Sequence, residues 1–228
     1  DENGELKSTS QLDTEVLNAI TKTNELGRHV VLHVMDQSKL GYQSPSEKLI
    51  QSLEQLDTLS MQIIVDASQL RLDPKDIQNY LNKGCIVTIT GSKYFTGPPY
   101  SGALIVPKNV SQTIQDVTIK IPKGLTNYYN RTDWPIAWHC SSDLSEGFNY
   151  GSNMRWNAAI VEMDRYYKTP VLYRNMGIEM FCNFIEDSIK EATFLQPIYG
   201  DETKTKSFDS TEFGIRNKSG SKANCFCI

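Results

Sequence analysis

Apolar residues recur along the first hundred positions in short blocks, and the spacing within each block assigns it to a helix or a strand. Leu12, Val16, Leu17 and Ile20 form an i, i+4, i+5, i+8 stripe that predicts an amphipathic helix over residues 12–25. VVLHV at 30–34 is a β-branched run too short for a helix and reads as a buried strand. Ser44-Pro45-Ser46-Glu47 reads as a capping box with proline at the first helical position, and Leu49, Ile50, Leu53 and Leu56 supply that helix's apolar face. IIVD at 63–66 is the second strand. Asp73-Pro74-Lys75-Asp76 opens another helix, with Ile77, Tyr80 and Leu81 inward and Gly84 as a left-handed cap. CIVTIT at 85–90 and GALIVP at 102–107 are the third and fourth strands.

Strand, helix, strand, helix and strand with short connections imply right-handed βαβ units. The predicted fold class is therefore α/β, with a mostly parallel sheet buried on both faces by flanking helices. The pattern changes after residue 121. Residues 122–152 hold Trp134, Trp138 and many Asn and Ser, and read as a connection between domains. Helices are expected at about 153–167 and 171–191, the second with Ile178, Phe181, Cys182, Ile185 and Ile189 at helical spacing. From Pro197 the chain is polar. This divides it into 1–121, a 122–152 connection, and 153–228 as part of a smaller α/β domain.

Composition narrows the function classes. At 228 residues and 39% hydrophobic content, a buried core is available and wholesale disorder is excluded. Lys plus Arg (23) against Asp plus Glu (27) leaves a net charge of −4, which argues against nucleic acid as a partner held by bulk charge. No apolar run approaches the roughly 18–20 residues of a membrane span. The five cysteines include no C-x-x-C pair, and His29, His33 and His139 lack zinc-ligand spacing, so neither a metal site nor a disulfide scaffold is expected. Reduced thiols point to the cytoplasm. His33 and His139 read as a strand-core residue and a loop residue. Cys225-Phe226-Cys227-Ile228 fits a C-terminal C-a-a-X pattern, the one feature that suggests a membrane partner, through prenylation of Cys225.

Ligands of open α/β sheets bind beyond the carboxyl ends of the strands. Three segments leave such ends: Met35–Gly41, Asp66-Ala67-Ser68-Gln69 and Thr90-Gly91-Ser92-Lys93. Each mixes polar or ionisable groups with small residues. Asp66 and Lys93 lie 27 positions apart (93 − 66), one strand-to-strand repeat, so a carboxylate and an amine can face one pocket. Taken singly, a strand-end Asp is an ordinary turn former, a lysine an ordinary solvated group, and Gly97-Pro98-Pro99 an ordinary turn. The combination is what points to chemistry.

IIVDASQ followed by TGSKYFTGPPYSGALIVP resembles the core of the fold-type I pyridoxal phosphate enzymes, in particular the class V aminotransferase branch that includes cysteine desulfurases and kynureninases. The match spans residues 28–108, and more loosely 153–191. The resemblance implies pyridoxal 5'-phosphate as cofactor, an amino acid or amine as substrate, and a homodimer. It makes Lys93 the lysine that joins the cofactor as a Schiff base and Asp66 the acid beside the pyridine nitrogen. Gln69 and, less closely, Ser38 match groups on the phenolic oxygen, while Thr90 and Ser92 match hydroxyls on the phosphate. Ser92 stands where the class V branch usually has histidine, and one extra residue separates Lys93 from the Gly-Pro pair. The family's phosphate-binding Gly/Ala-Thr turn and ring-stacking residue would fall before residue 1, so the chain reads as an internal fragment. The substrate-carboxylate arginine is open among Arg155, Arg174 and Arg216. The competing expectation is a cofactor-free remnant of this fold serving as a binding or structural module.

Overall fold

The computed structural model describes residues 7–36, 38, 43–54 and 60–193. In chain order they form α1 (Thr9–Glu25), β1 (Val30–Met35), α2 (Glu47–Glu54), β2 (Met61–Asp66), α3 (Pro74–Asn82), β3 (Ile86–Thr90), β4 (Gly102–Ile105) and α4 (Lys108–Gln115). Three short 3-10 helices follow, then α5 (Tyr150–Lys168) and α6 (Val171–Glu191). The protein is α/β, with one open four-stranded sheet.

The helix ends follow from local chemistry. Ser8 and Gln11 form the capping box of α1. Asp73 caps α3 by accepting the Lys75 N–H, with Pro74 in the first turn, and Gly84 takes the left-handed φ of +77° that ends the segment. The expected cap of α2 moves by two residues. Ser44 exchanges backbone hydrogen bonds with Met35, so the Ser46 hydroxyl takes over and accepts the Leu49 N–H at 3.1 Å. The Ser46 hydroxyl and N–H also donate to Asp13 of α1, which ties the two helices together.

The strand order is β1-β2-β3-β4, parallel from β1 to β3, with β4 antiparallel to β3. The turn of direction has a simple cause. Residues 91–101 contain no helix, and a parallel return needs a crossover of about a dozen residues or more.

Leu32, Val34, Ile63, Val65, Cys85 and Val87 alternate onto one face and meet Ile20 of α1, Leu49, Ile50 and Leu53 of α2, and Tyr80 of α3. On α1 the inward row is Leu12, Val16 and Ile20, half-buried at the first two and buried at Ile20, and Leu17 turns outward. The expectation of a sheet buried on both faces is corrected here. The opposite face leaves Val31 52%, Met35 40% and Leu104 55% exposed, and His33 lies on it exposed rather than in the core. Two right-handed crossovers stepping in the same direction carry both helices to the same face. Because the strand order never reverses, neither crossover helix reaches the far face, which is exposed along β1 and β4 and buried only at Ile86 and Thr90 of β3.

Residues 122–152 are more than a tether. Trp138 and Leu144 are buried, as is Ile121 just before the segment, the Trp138 indole donates to the Ser111 hydroxyl at 2.9 Å, and Trp134 packs edge-on against Trp138. The described part of 153–228 consists of α5 and α6 alone, with no strand after β4 among the described residues. None of the described helices is long and apolar enough to cross a membrane.

Candidate functional site

Asp66 ends β2 and is in register with Thr88 on β3. Since Val65 and Val87 point into the core, strand alternation puts Asp66 and Thr88 on the open face. Asp66 is half-buried there, and its Oδ1 accepts the Ser68 N–H at 2.9 Å and the Thr88 hydroxyl at 3.3 Å. Partial burial disfavours the charge. The Ser68 hydroxyl and N–H, the Thr88 hydroxyl and the Lys93 ammonium outweigh that penalty and hold the carboxyl below its ordinary value. Asp66 is thus both a turn former, through Ser68, and a firmly ionised carboxylate.

Lys93 is exposed, and its positive charge bears on Asp66. It sits on a closed turn between β3 and β4. The Gly91 N–H donates to the Ser101 carbonyl at 3.0 Å, the Gly97 N–H to the Gly91 carbonyl at 2.9 Å, and the Thr96 N–H to the Lys93 carbonyl at 3.0 Å. The buried Ser101 hydroxyl donates to the Pro98 carbonyl at 2.9 Å. Thr96 and Tyr100 hold left-handed φ values of 53° and 64°, which side-chain-bearing residues adopt only when their surroundings enforce it.

The enforcing element is α5. Its Ala159 is fully buried against Gly91 and Gly97, leaving no room for a methyl group on either glycine. The Trp156 indole donates to the Gly102 carbonyl and Arg155 Nε to the Tyr100 carbonyl, each at 3.3 Å. A helix some sixty residues downstream thereby shapes the turn that carries Lys93.

The remaining sequence candidates gather unevenly. The Thr90 side chain is buried and committed: its hydroxyl pairs with that of Ser92 at 2.8 Å and accepts the Ser92 N–H at 3.2 Å. Ser92 is half-buried, nearer the rim. Gln69 is half-buried with no side-chain hydrogen bond among the described residues, and Ser38 is half-buried beyond the end of β1. Of the arginines, Arg155 serves the Tyr100 carbonyl, and Arg174 lies on α6 with its guanidinium 4.4 Å from the Tyr166 ring centre. Arg216 and Cys225 fall outside the described residues. His139 is exposed at the start of the third 3-10 helix.

Two features escaped the sequence reading. Thr88, in mid-strand, supports the Asp66 carboxylate; its signal was a hydroxyl inside an otherwise apolar β-branched run. Asp36, just past β1, is 1% exposed on the core side, where its Oδ2 accepts the Tyr80 hydroxyl at 2.6 Å. That hydroxyl accepts from Gln43 Nε2 at 3.2 Å, and the Asp36 N–H donates to the Asp66 carbonyl at 3.0 Å. Even parity with Leu32 and Val34 was the available clue. Asp36 anchors the strand end whose neighbour carries Asp66.

No protein-family model, curated protein or solved structure matches the chain.

Proposed function

We propose that the chain is the cofactor-binding part of a pyridoxal 5'-phosphate-dependent enzyme that acts on an amino acid or amine and is similar to the class V aminotransferases. The observation that carries the reading is Asp66, a carboxylate held ionised at the carboxyl edge of the sheet, with the Lys93 charge acting on it.

The residues suit the cofactor's functional groups. A protonated pyridine nitrogen needs an adjacent carboxylate that stays charged, and the Ser68 and Thr88 donors keep Asp66 so. The aldehyde needs a primary amine, which Lys93 Nζ supplies on a turn fixed by α5. Phosphate oxygens need donors, and Ser92 offers a hydroxyl that Thr90 orients. Gln69 has amide hydrogens uncommitted among the described residues for the phenolic oxygen, with Ser38 as the second candidate group. Bound there, pyridoxal phosphate supplies an electron sink for bonds to the substrate's amino carbon. Asp66 serves that chemistry by holding the proton on the ring nitrogen through its charge. The same resemblance extends the proposal to a homodimer, and the cysteine usage extends it to the cytoplasm.

The test is covalent. Full-length protein incubated with pyridoxal phosphate and then reduced with borohydride should carry one pyridoxyl group, located on Lys93 by peptide mass spectrometry. The Lys93→Ala variant should carry none. An adduct on a different lysine, or a folded wild-type protein that takes up none, overturns the proposal, and the second outcome favours the cofactor-free binding module.

A further inference from the structure

Beside the β3–β4 turn, at the residue following Lys93, α5 and α6 border a shallow, open cleft. Its volume is about 350 Å³, and it is lined by Tyr94, Tyr166, Tyr173, Arg174, Ile178 and Phe181, with the exposed Gly177 on its α6 side. The volume falls in the range of small-molecule sites, which begin at roughly 300 Å³. The lining is almost wholly aromatic and aliphatic, with one cation.

Among the described residues that cation has no counter-ion. Arg174 forms no ion pair among the described residues, and its Nε is buried without a hydrogen-bond partner. Its guanidinium is instead stacked 4.4 Å from the Tyr166 ring centre and 5.7 Å from that of Tyr167. Stacking of this kind holds the planar fork still and leaves its edge for a carboxylate. The nearby acid that bears on Tyr167, Asp73, is engaged as the cap of α3. The Tyr94 hydroxyl donates to that of Tyr166 at 3.0 Å, so the ring beneath the guanidinium is itself fixed.

We propose that this pocket binds a small organic carboxylate with an aromatic or branched apolar body, its charge on Arg174 and its body against Phe181, Ile178 and Tyr173. A single guanidinium set in an apolar wall matches one negative charge on an apolar frame. A doubly charged phosphate would leave one charge unmatched beside Ile178 and Phe181. Arg174 is one of the arginines the resemblance leaves open for the substrate carboxylate, but the site uses none of the groups assigned to pyridoxal phosphate itself, so a titration without cofactor tests it apart from that reading.

Gly177 makes the test clean. It lies in the middle of α6, and a side chain there would meet nothing within 4 Å, so Gly177→Leu fills open pocket space while favouring the helix. The full chain without added cofactor is titrated with 3-phenylpropanoate by calorimetry. The neutral 3-phenylpropan-1-ol and inorganic phosphate are run alongside. The carboxylate should bind saturably, at least tenfold tighter than either comparison ligand. Arg174→Met should weaken it at least tenfold, and Gly177→Leu should abolish binding with thermal stability unchanged or raised. Absence of saturable binding to wild type overturns the proposal. So does equal affinity for the alcohol or phosphate, or wild-type affinity in either variant.

Discussion

Gly97 and Ala159 pack so closely that a methyl group on Gly97 would stand 2.7 Å from the Ala159 Cβ and 2.6 Å from the Gly91 carbonyl oxygen. Both obstacles are rigid, one a buried helix face and the other backbone. Overpacking of a fixed contact costs about 1–3 kcal/mol. Gly97→Ala should therefore lower the unfolding free energy by that amount, read as a lower urea midpoint at unchanged slope. It should also reduce pyridoxyl labelling of Lys93, because the turn is displaced from α5. Unchanged stability would show that α5 does not clamp the turn.

The carboxyl of Asp66 lies below its ordinary value near 3.8 in the folded protein. A depressed folded value stabilises the fold fully above the unfolded value, and this contribution is lost as pH falls through the folded one. The stability gap between wild type and Asp66→Asn should accordingly be constant at neutral pH and shrink below about pH 4. Urea unfolding from pH 7 down to pH 3 checks it. A gap that widens toward acid would mean the group is not held ionised.

Asp66→Ala in cofactor-loaded, full-length protein should cut turnover by about 10²–10³, the usual loss for one electrostatic partner of the reacting system. Covalent loading on Lys93 should change much less, since the amine is untouched. Asn should be nearly as harmful, because it keeps the size and discards the charge. Wild-type turnover in either variant would remove Asp66 from its assigned role.

Tyr80 donates to the buried Asp36 at 2.6 Å and joins α3 to the end of β1. Tyr80→Phe keeps the ring in the core and removes one donor from a carboxylate that is 1% exposed. Loss of a donor to a buried polar group costs about 1–3 kcal/mol, more for charged groups. A urea midpoint equal to wild type would show that other partners of Asp36 make this bond dispensable.

Burial pushes the thiols of Cys85 and Cys182 up to about 11 each, with Glu54 and Glu186 respectively adding to the effect. Few thiolates form at neutral pH, and the thiolate is the nucleophile. Iodoacetamide at pH 7.5 should label both sites at least tenfold more slowly in the native protein than in urea. Equal rates would place these side chains at the surface.

The order of helices and strands was legible residue by residue. Periodicity, the Asp73-Pro74 start and the Gly84 stop are set by neighbours within a few positions, so β1, β2, β3, α1 and α3 could be read from local pattern alone. The strand ends carrying Asp66 and Lys93 came from the same signal. The two-residue shift of the α2 cap did not, because Ser44 is drawn away by Met35, a residue outside the helix.

The chain's local chemistry thus determined which segments are strands and helices and which ionisable groups stand at their ends. Tertiary packing decided the rest: strands stepping in one direction, α1, α2 and α3 on a single face, β4 reversed, and Asp66 on the opposite side. It also brought Ala159 onto Gly91 and Gly97, and Arg174 onto Tyr166. Contacts of that kind join positions with no shared period, and their energy exists only once distant segments have closed on one another. A glycine that must be bare for a helix some sixty residues away looks, in the sequence, like any other glycine in a turn.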